Sequence, residues 1–235
     1  MSKTLVEIKK DNGWNPKKPK SDMLREMISA YCANVDKYFT DYVLCEIPED
    51  IPVWVAGGAL RDYFLYGYVK SGTDIDLFTD NKIHFNMIKE SLLEFYDLKY
   101  ESELALSFFD KEDNEKMVQL IKIFNDNPNE CIGRFDFTVC CAYVGRWPIK
   151  SEETKKELQV VSDAADEFYE DCFHKKLRLI RLNKTPTITI QRIKNYIAKG
   201  FEISEVERLA LVNNYLNEEF QLEELIDEYE GLRLA

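Results

Sequence analysis

VWVAGGALRDYFLYG, residues 53–67, is the stretch on which the reading of this chain turns. Pro52 to Ala56 is a short apolar run, which reads as a buried strand. Gly57 and Gly58 then break it, and Ala59 to Tyr66 continues as a short helix with Gly67 as its cap. Two glycines between a strand and a helix let the backbone come close to a ligand and turn several N–H groups outward. That suits a phosphate chain. Glycines that merely make the turn would give the same pattern, so further residues must decide.

They follow in TDIDLF, residues 73–78. Ile75 and Leu77 alternate with Asp74 and Asp76, and a spacing of two along a strand puts both carboxylates on one face. Like charges so placed repel unless a cation or water screens them. Hard oxygen ligands of this kind suit Mg²⁺ or Mn²⁺. In RFDFTV, residues 134–139, Phe135, Phe137 and Val139 alternate with Arg134, Asp136 and Thr138, which predicts a strand over 134–144 with Asp136 turned away from the core. If that strand lies beside the first acidic one, Asp74, Asp76 and Asp136 converge. Three such acids can hold two divalent ions about 3.5 to 4 Å apart.

These three stretches together resemble the head domain of the poly(A) polymerase and CCA-adding branch of the polymerase-beta-like nucleotidyltransferases. That family shows a double glycine followed by Arg-Asp, then a DxD strand, then a third acid in a basic-x-DFT segment. Gly57, Gly58, Arg61, Asp62, Asp74, Asp76 and Asp136 stand in the matching places. The resemblance implies an α+β fold: a nucleotidyltransferase palm with a mixed sheet of about five strands and flanking helices, followed by a small helical lobe. It also implies transfer of a nucleoside monophosphate from a nucleoside triphosphate. Gly57 and Gly58 would hold the triphosphate, and Asp74, Asp76 and Asp136 would be catalytic and bind the metals. Arg61 and Asp62 read either as phosphate contact and turn support or as an internal ion pair.

Outward from this centre, residues 1–20 form a basic extension broken by Gly13, Pro16 and Pro19, and an amphipathic helix follows to about Tyr42. The palm is expected over 21–150, with a helix from about Asn81 to Phe95 capped by Asp80. Residues 151–235 are expected to form the helical lobe, with helices over 152–173, from Thr185 to Gly200 and within 204–229. Between His174 and Gly200 stand eight Lys or Arg and no acid, and from Phe201 onward ten acids face two arginines. Arg178, Arg181, Arg192 and Lys194 are the candidate phosphate contacts in that basic stretch. The resemblance weakens here, because Lys184 and Thr185 replace a Glu-Asp pair and Ile188 and Gln191 replace two arginines, and in the CCA-adding enzymes the Asp and one Arg of that set read the incoming base. Tyr196 and Phe201 read as core before they read as base-stacking platforms.

The 235 residues are 45% hydrophobic and 31% charged, with a net charge of −12, which is a globular composition. That charge argues against a protein that coats duplex DNA. Six cysteines without a CxxC pair read as free buried thiols, and His84 and His174 are too few for a Cys/His zinc site. There is no apolar leader and no membrane-length apolar run, so a cytoplasmic protein with no membrane partner is expected. The leading expectation is a metal-dependent nucleotidyltransferase (two Mg²⁺ or Mn²⁺ ions, an NTP such as ATP as donor) acting on a hydroxyl of an RNA or other nucleic-acid end. Nucleotidylation of a tRNA or protein in a toxin or defence setting is the alternative. A catalytically silent nucleotide-binding scaffold is the rival of another class.

Overall fold

A computed structural model describes residues 20–113, 115–149, 157–181 and 186–217. The predicted basic extension and the acidic run beyond 217 lie outside the described residues. Helix α1 (Lys20–Tyr42) leads to β1 (Val53–Ala56), α2 (Gly58–Tyr66), β2 (Ile75–Phe78) and α3 (Lys82–Phe95). Then come β3 (Tyr96–Glu101), β4 (Ala105–Asp110), β5 (Met117–Ile121), α4 (Pro128–Gly133), β6 (Ala142–Ile149) and β7 (Glu157–Ala164). Helices α5 (Phe168–His174), α6 (Pro186–Ala198) and α7 (Glu205–Asn217) complete the order.

Among the described residues the strands form one mixed sheet in the order β3-β4-β5-β2-β1-β6-β7, in which only β2 and β5 run parallel. The α+β class is as the sequence predicts, with seven strands instead of about five. Alternation divides the sheet into two faces. Val53, Val55, Ile75, Leu77, Leu106, Phe108, Val118 and Leu120 join residues of α1, α2 and α3 in the main core. On the other face, Trp54, Ala56, Phe78 and Tyr143 pack with Cys131 and Ile132 of α4. That second cluster covers the β1 and β6 side and leaves the face of β2, β5 and β4 open as the floor of a cleft.

Three expectations are corrected. The strand predicted over 134–144 does not form there: α4 ends at Gly133, residues 138–140 make a 3₁₀ turn, and β6 begins only at Ala142. The alternation at Phe135, Phe137 and Val139 reflects burial of a loop, pinned where the Ile180 amide donates to the Asp136 carbonyl (2.8 Å) and Phe137 bridges Leu179. The helix predicted over 152–173 is instead β7, paired with β6 along its whole length, followed by the short α5. Charged residues at a half-exposed edge imitate a helical pattern, and tertiary pairing overrides local propensity. Helix α3 is capped by Asn81, whose side chain accepts from the Ile83 and His84 amides, rather than by Asp80. All six cysteines are free, but only Cys131, Cys140, Cys141 and Cys172 are buried as predicted, whereas Cys32 and Cys45 are exposed.

Candidate active site

The cleft has a volume of about 720 Å³ and opens where β1 hands over to α2. Gly57 has φ 92° and ψ −134°, a backbone region that only glycine occupies without strain, and its amide donates to the Ala142 carbonyl (3.2 Å). This turn starts α2 against the cleft, so amides of its first turn face the space where an anion is favoured. A Cβ on Gly57 would stand 3.7 Å from Asp76 Oδ2, which places that carboxylate beside the turn.

Asp74 and Asp76 both line the cleft, Asp74 just before β2 and Asp76 within it. Burial, and after it the like charge of Asp74, pushes the Asp76 carboxyl well above its usual range, while Arg192 pulls it the other way. Register continues the row across the floor: Ala56 opposes Asp76, Asp76 opposes Gln119 on the parallel β5, and Gln119 opposes Ser107 on β4. Thus the side chain next to the acidic pair on the floor is a neutral amide.

Arg61 and Asp62 form a brace behind the turn. Arg61 is only 2% exposed, and its Nη2 and Nε donate to Asp62 Oδ1 (2.9 and 3.1 Å). Asp62 Oδ2 also accepts from the Thr73 hydroxyl (2.7 Å), so the loop that presents Asp74 is tied to α2. Arg61 Nη1 reaches Tyr196 on α6 (3.2 Å), which brings the last helices to the palm. Burial alone would depress the Arg61 guanidinium, but Tyr196, Cys140 and Asp62 hold it above its ordinary value. The internal ion pair is therefore present, and Arg61 still forms part of the cleft wall.

The third acid stands apart. Asp136 is 7% exposed on the loop before β6, is not among the residues lining the cleft, and has Arg192 Nε 2.9 Å from its Oδ2. The contact is coulombic, since neither Asp136 carboxylate oxygen has an aligned hydrogen-bond donor. Burial raises its carboxyl and Arg192 opposes the rise. Among the described residues no three His, Cys, Asp or Glu side chains come together as a metal-binding group. The residues do fit one divalent ion, because Mg²⁺ commonly takes one or two carboxylates and completes its shell with water and substrate phosphates.

Of the four predicted basic contacts, Arg192 alone lines the cleft. Arg178 is held by the buried Asp171 (Nε to Oδ2, 3.0 Å) and lines a separate cavity with Thr138 and Leu179. Arg181 and Lys194 are exposed and lie outside the cleft lining. Asn195 and Lys199 were missed as cleft residues, although with Arg192 and Tyr196 they fall at positions i, i+3, i+4 and i+7, one helical face. Tyr196 packs on Phe137 and Phe201, so its ring is core, and its hydroxyl meets Arg61 and Cys140.

The sequence profile described as Gabija anti-defense 2 family protein matches residues 22–159. The chain belongs to the Gabija anti-defense 2 family. No curated protein matches this family member. Solved structures do, all at low identity. The CCA-adding enzyme with ATP has a TM-score of 0.52 at 19% identity, covering 92% of this chain and 48% of that one. The CCA-adding enzyme with CTP gives 0.51 at 19%, over 86% and 46%. The Thermotoga maritima CCA-adding enzyme complexed with tRNA gives 0.50 at 19%, over 83% and 44%. The chain thus spans less than half the length of these structures. The likeness establishes a nucleotidyltransferase-like fold for this Gabija anti-defense 2 member. Among its described residues no helix is long and apolar enough to cross a membrane.

Proposed function

We propose that this protein is a divalent-metal-dependent nucleotidyltransferase that moves a nucleoside monophosphate from an NTP to a hydroxyl acceptor and releases pyrophosphate, in the cytoplasm and in a defence-related setting. The observation that carries it is the placement of Asp74 and Asp76 against the Gly57–Gly58 turn at the start of α2, inside one cleft. Gly57, whose own amide is bonded to the Ala142 carbonyl, makes the turn, and the N–H groups of Gly58 and the first turn of α2 receive the triphosphate, with the Arg192 and Lys199 side of α6 facing the same space. Asp74 and Asp76 would hold one Mg²⁺ or Mn²⁺, which when bound offsets phosphate charge as the α-phosphorus is attacked. The Arg61–Asp62–Thr73 chain keeps the Asp74 loop in register with the turn. The similar CCA-adding enzymes are complexes with ATP, CTP and tRNA, which supports an NTP donor and admits a nucleic-acid end as acceptor. The family's description supports the defence setting.

A second reading, a nucleotide-binding protein without turnover, is favoured by one specific arrangement: Gln119 beside Asp76, and Asp136 paired with Arg192 outside the cleft lining. The deciding experiment incubates the protein with each α-labelled NTP and Mg²⁺ or Mn²⁺, with candidate acceptors present. Label transfer that disappears in Asp74→Asn and Asp76→Asn supports the transferase. Nucleotide binding without any transfer supports the silent scaffold.

A further inference from the structure

The cleft has two dissimilar halves. Near the Gly57–Gly58 turn stand the two carboxylates and the cationic face of α6. On the far side, the sheet face offers Ser102, Leu104, Ala105, Ser107, Gln119 and Ile121, small, neutral or apolar side chains without a single charge. Leu104 is 63% exposed there.

A nucleic-acid strand brings one negative charge per nucleotide, and proteins that bind single strands provide cations along the backbone and open aromatic faces for the bases. The cleft's cations are Arg61, Arg134, Arg192 and Lys199. Arg61 is committed to Asp62, Arg134 to Glu130 and Arg192 to Asp136. Lys122, just beyond β5, is engaged by Glu101 (2.7 Å). The rings that line the cleft are committed too: Phe78 packs with Phe135, and Tyr196 with Phe137 and Phe201. Lys199 stands on the α6 side, so this wall itself offers no charge to offset a row of phosphates, whereas an uncharged peptide needs none and finds hydroxyl and amide partners there.

Resting on the transferase reading above, we propose that the acceptor is a polypeptide hydroxyl, a serine, threonine or tyrosine side chain in an uncharged segment laid across the neutral wall of β4 and β5. The acceptor oxygen forms a bond to the α-phosphorus of the NTP. The bond from that phosphorus to the oxygen bridging to the β-phosphate breaks, pyrophosphate leaves with the electron pair, and the hydroxyl proton passes to solvent. The product is a nucleotidylated side chain.

The test uses the full-length protein, Mn²⁺ or Mg²⁺, each α-labelled NTP, total RNA, a soluble protein extract and an array of uncharged Ser-, Thr- and Tyr-containing peptides. The expected label survives ribonuclease, is lost to protease, and maps by mass spectrometry to hydroxyl side chains. Label that ribonuclease removes overturns the acceptor assignment and leaves the transferase reading intact. An absence of label on any acceptor, with NTP still retained in equilibrium dialysis, overturns the transferase reading and the acceptor assignment with it. The exposed-site variant Leu104→Glu sharpens the result: NTP retention stays within about twofold while peptide labelling falls roughly tenfold or more, as expected when a charge faces an uncharged segment. Unchanged peptide labelling in Leu104→Glu also overturns the assignment.

Discussion

Replacing Arg61 by alanine tests the brace that joins the glycine turn, the acidic loop and α6. Arg61 and Asp62 are 2% and 4% exposed, and in the variant Asp62 keeps only the Thr73 hydroxyl as a side-chain donor. Removing one partner of a buried ion pair strands the other charge, at about 3–5 kcal/mol. For a chain of this size that lowers the melting temperature by roughly 6–20 °C, at about 2–4 °C per kcal/mol. The double variant Arg61→Met/Asp62→Asn removes both charges, retains an oxygen for Thr73, and is expected within about 1–2 kcal/mol of the parent. Urea unfolding of the parent, both single variants and the double variant gives the coupling directly. The loop bearing Asp74 loses its tether in Arg61→Ala, so NMP transfer should fall even at temperatures where the variant is folded. A cost below about 1 kcal/mol for Arg61→Ala, or a double variant no more stable than the single, would refute the buried brace.

Asp74→Asn and Asp76→Asn are expected to lower Mn²⁺-supported NMP transfer by about 10²-fold or more, measured by label incorporation. Burial and Asp74 raise the Asp76 carboxyl in the folded state, so the folded protein binds more protons than the unfolded chain between the two pKa values. Stability of the metal-free protein should therefore fall as pH rises through that window, and Asp76→Asn should flatten that slope in pH-resolved urea melts. Transfer, which needs the carboxylate, should gain with rising pH over the same range. Gly57→Ala forces an L-residue to φ 92° and is expected to cost about 1–3 kcal/mol by denaturant unfolding, with no steric clash contributing at 3.7 Å. At Gly145, by contrast, an added Cβ would lie 2.3 Å from Trp54 Cα, so Gly145→Ala should impair folding outright, seen as loss of soluble protein or of a cooperative melt.

What could be read from the sequence is what short-range chemistry controls. The strand, the glycine turn and the α2 helix lie within fifteen consecutive residues, and alternation alone sets Asp74 and Asp76 on the side opposite Ile75 and Leu77. For Arg61 and Asp62 the sequence left phosphate contact and an internal ion pair as equal readings, and only the folded contact shows the pair. Asp136 was not legible in the same way. Its alternating neighbours imitate a strand, whereas its place is set by the bond from Ile180, more than forty residues on, and by Arg192 on α6. Gln119 carried no local signal, since only the parallel pairing of β2 with β5 brings it beside Asp76.

By itself, then, the sequence determined the class of fold, the glycine turn and the acidic pair, because turn geometry and two-residue periodicity act over a few bonds. Tertiary structure alone decided which residues share the cleft. It drew β7 into the sheet where charge suggested a helix, turned Arg178 to Asp171, brought Asn195 and Lys199 into the cleft lining, and paired Asp136 with Arg192. Each of these depends on contacts between distant segments. Burial and pairing energies there exceed the fractions of a kcal/mol by which local propensities differ.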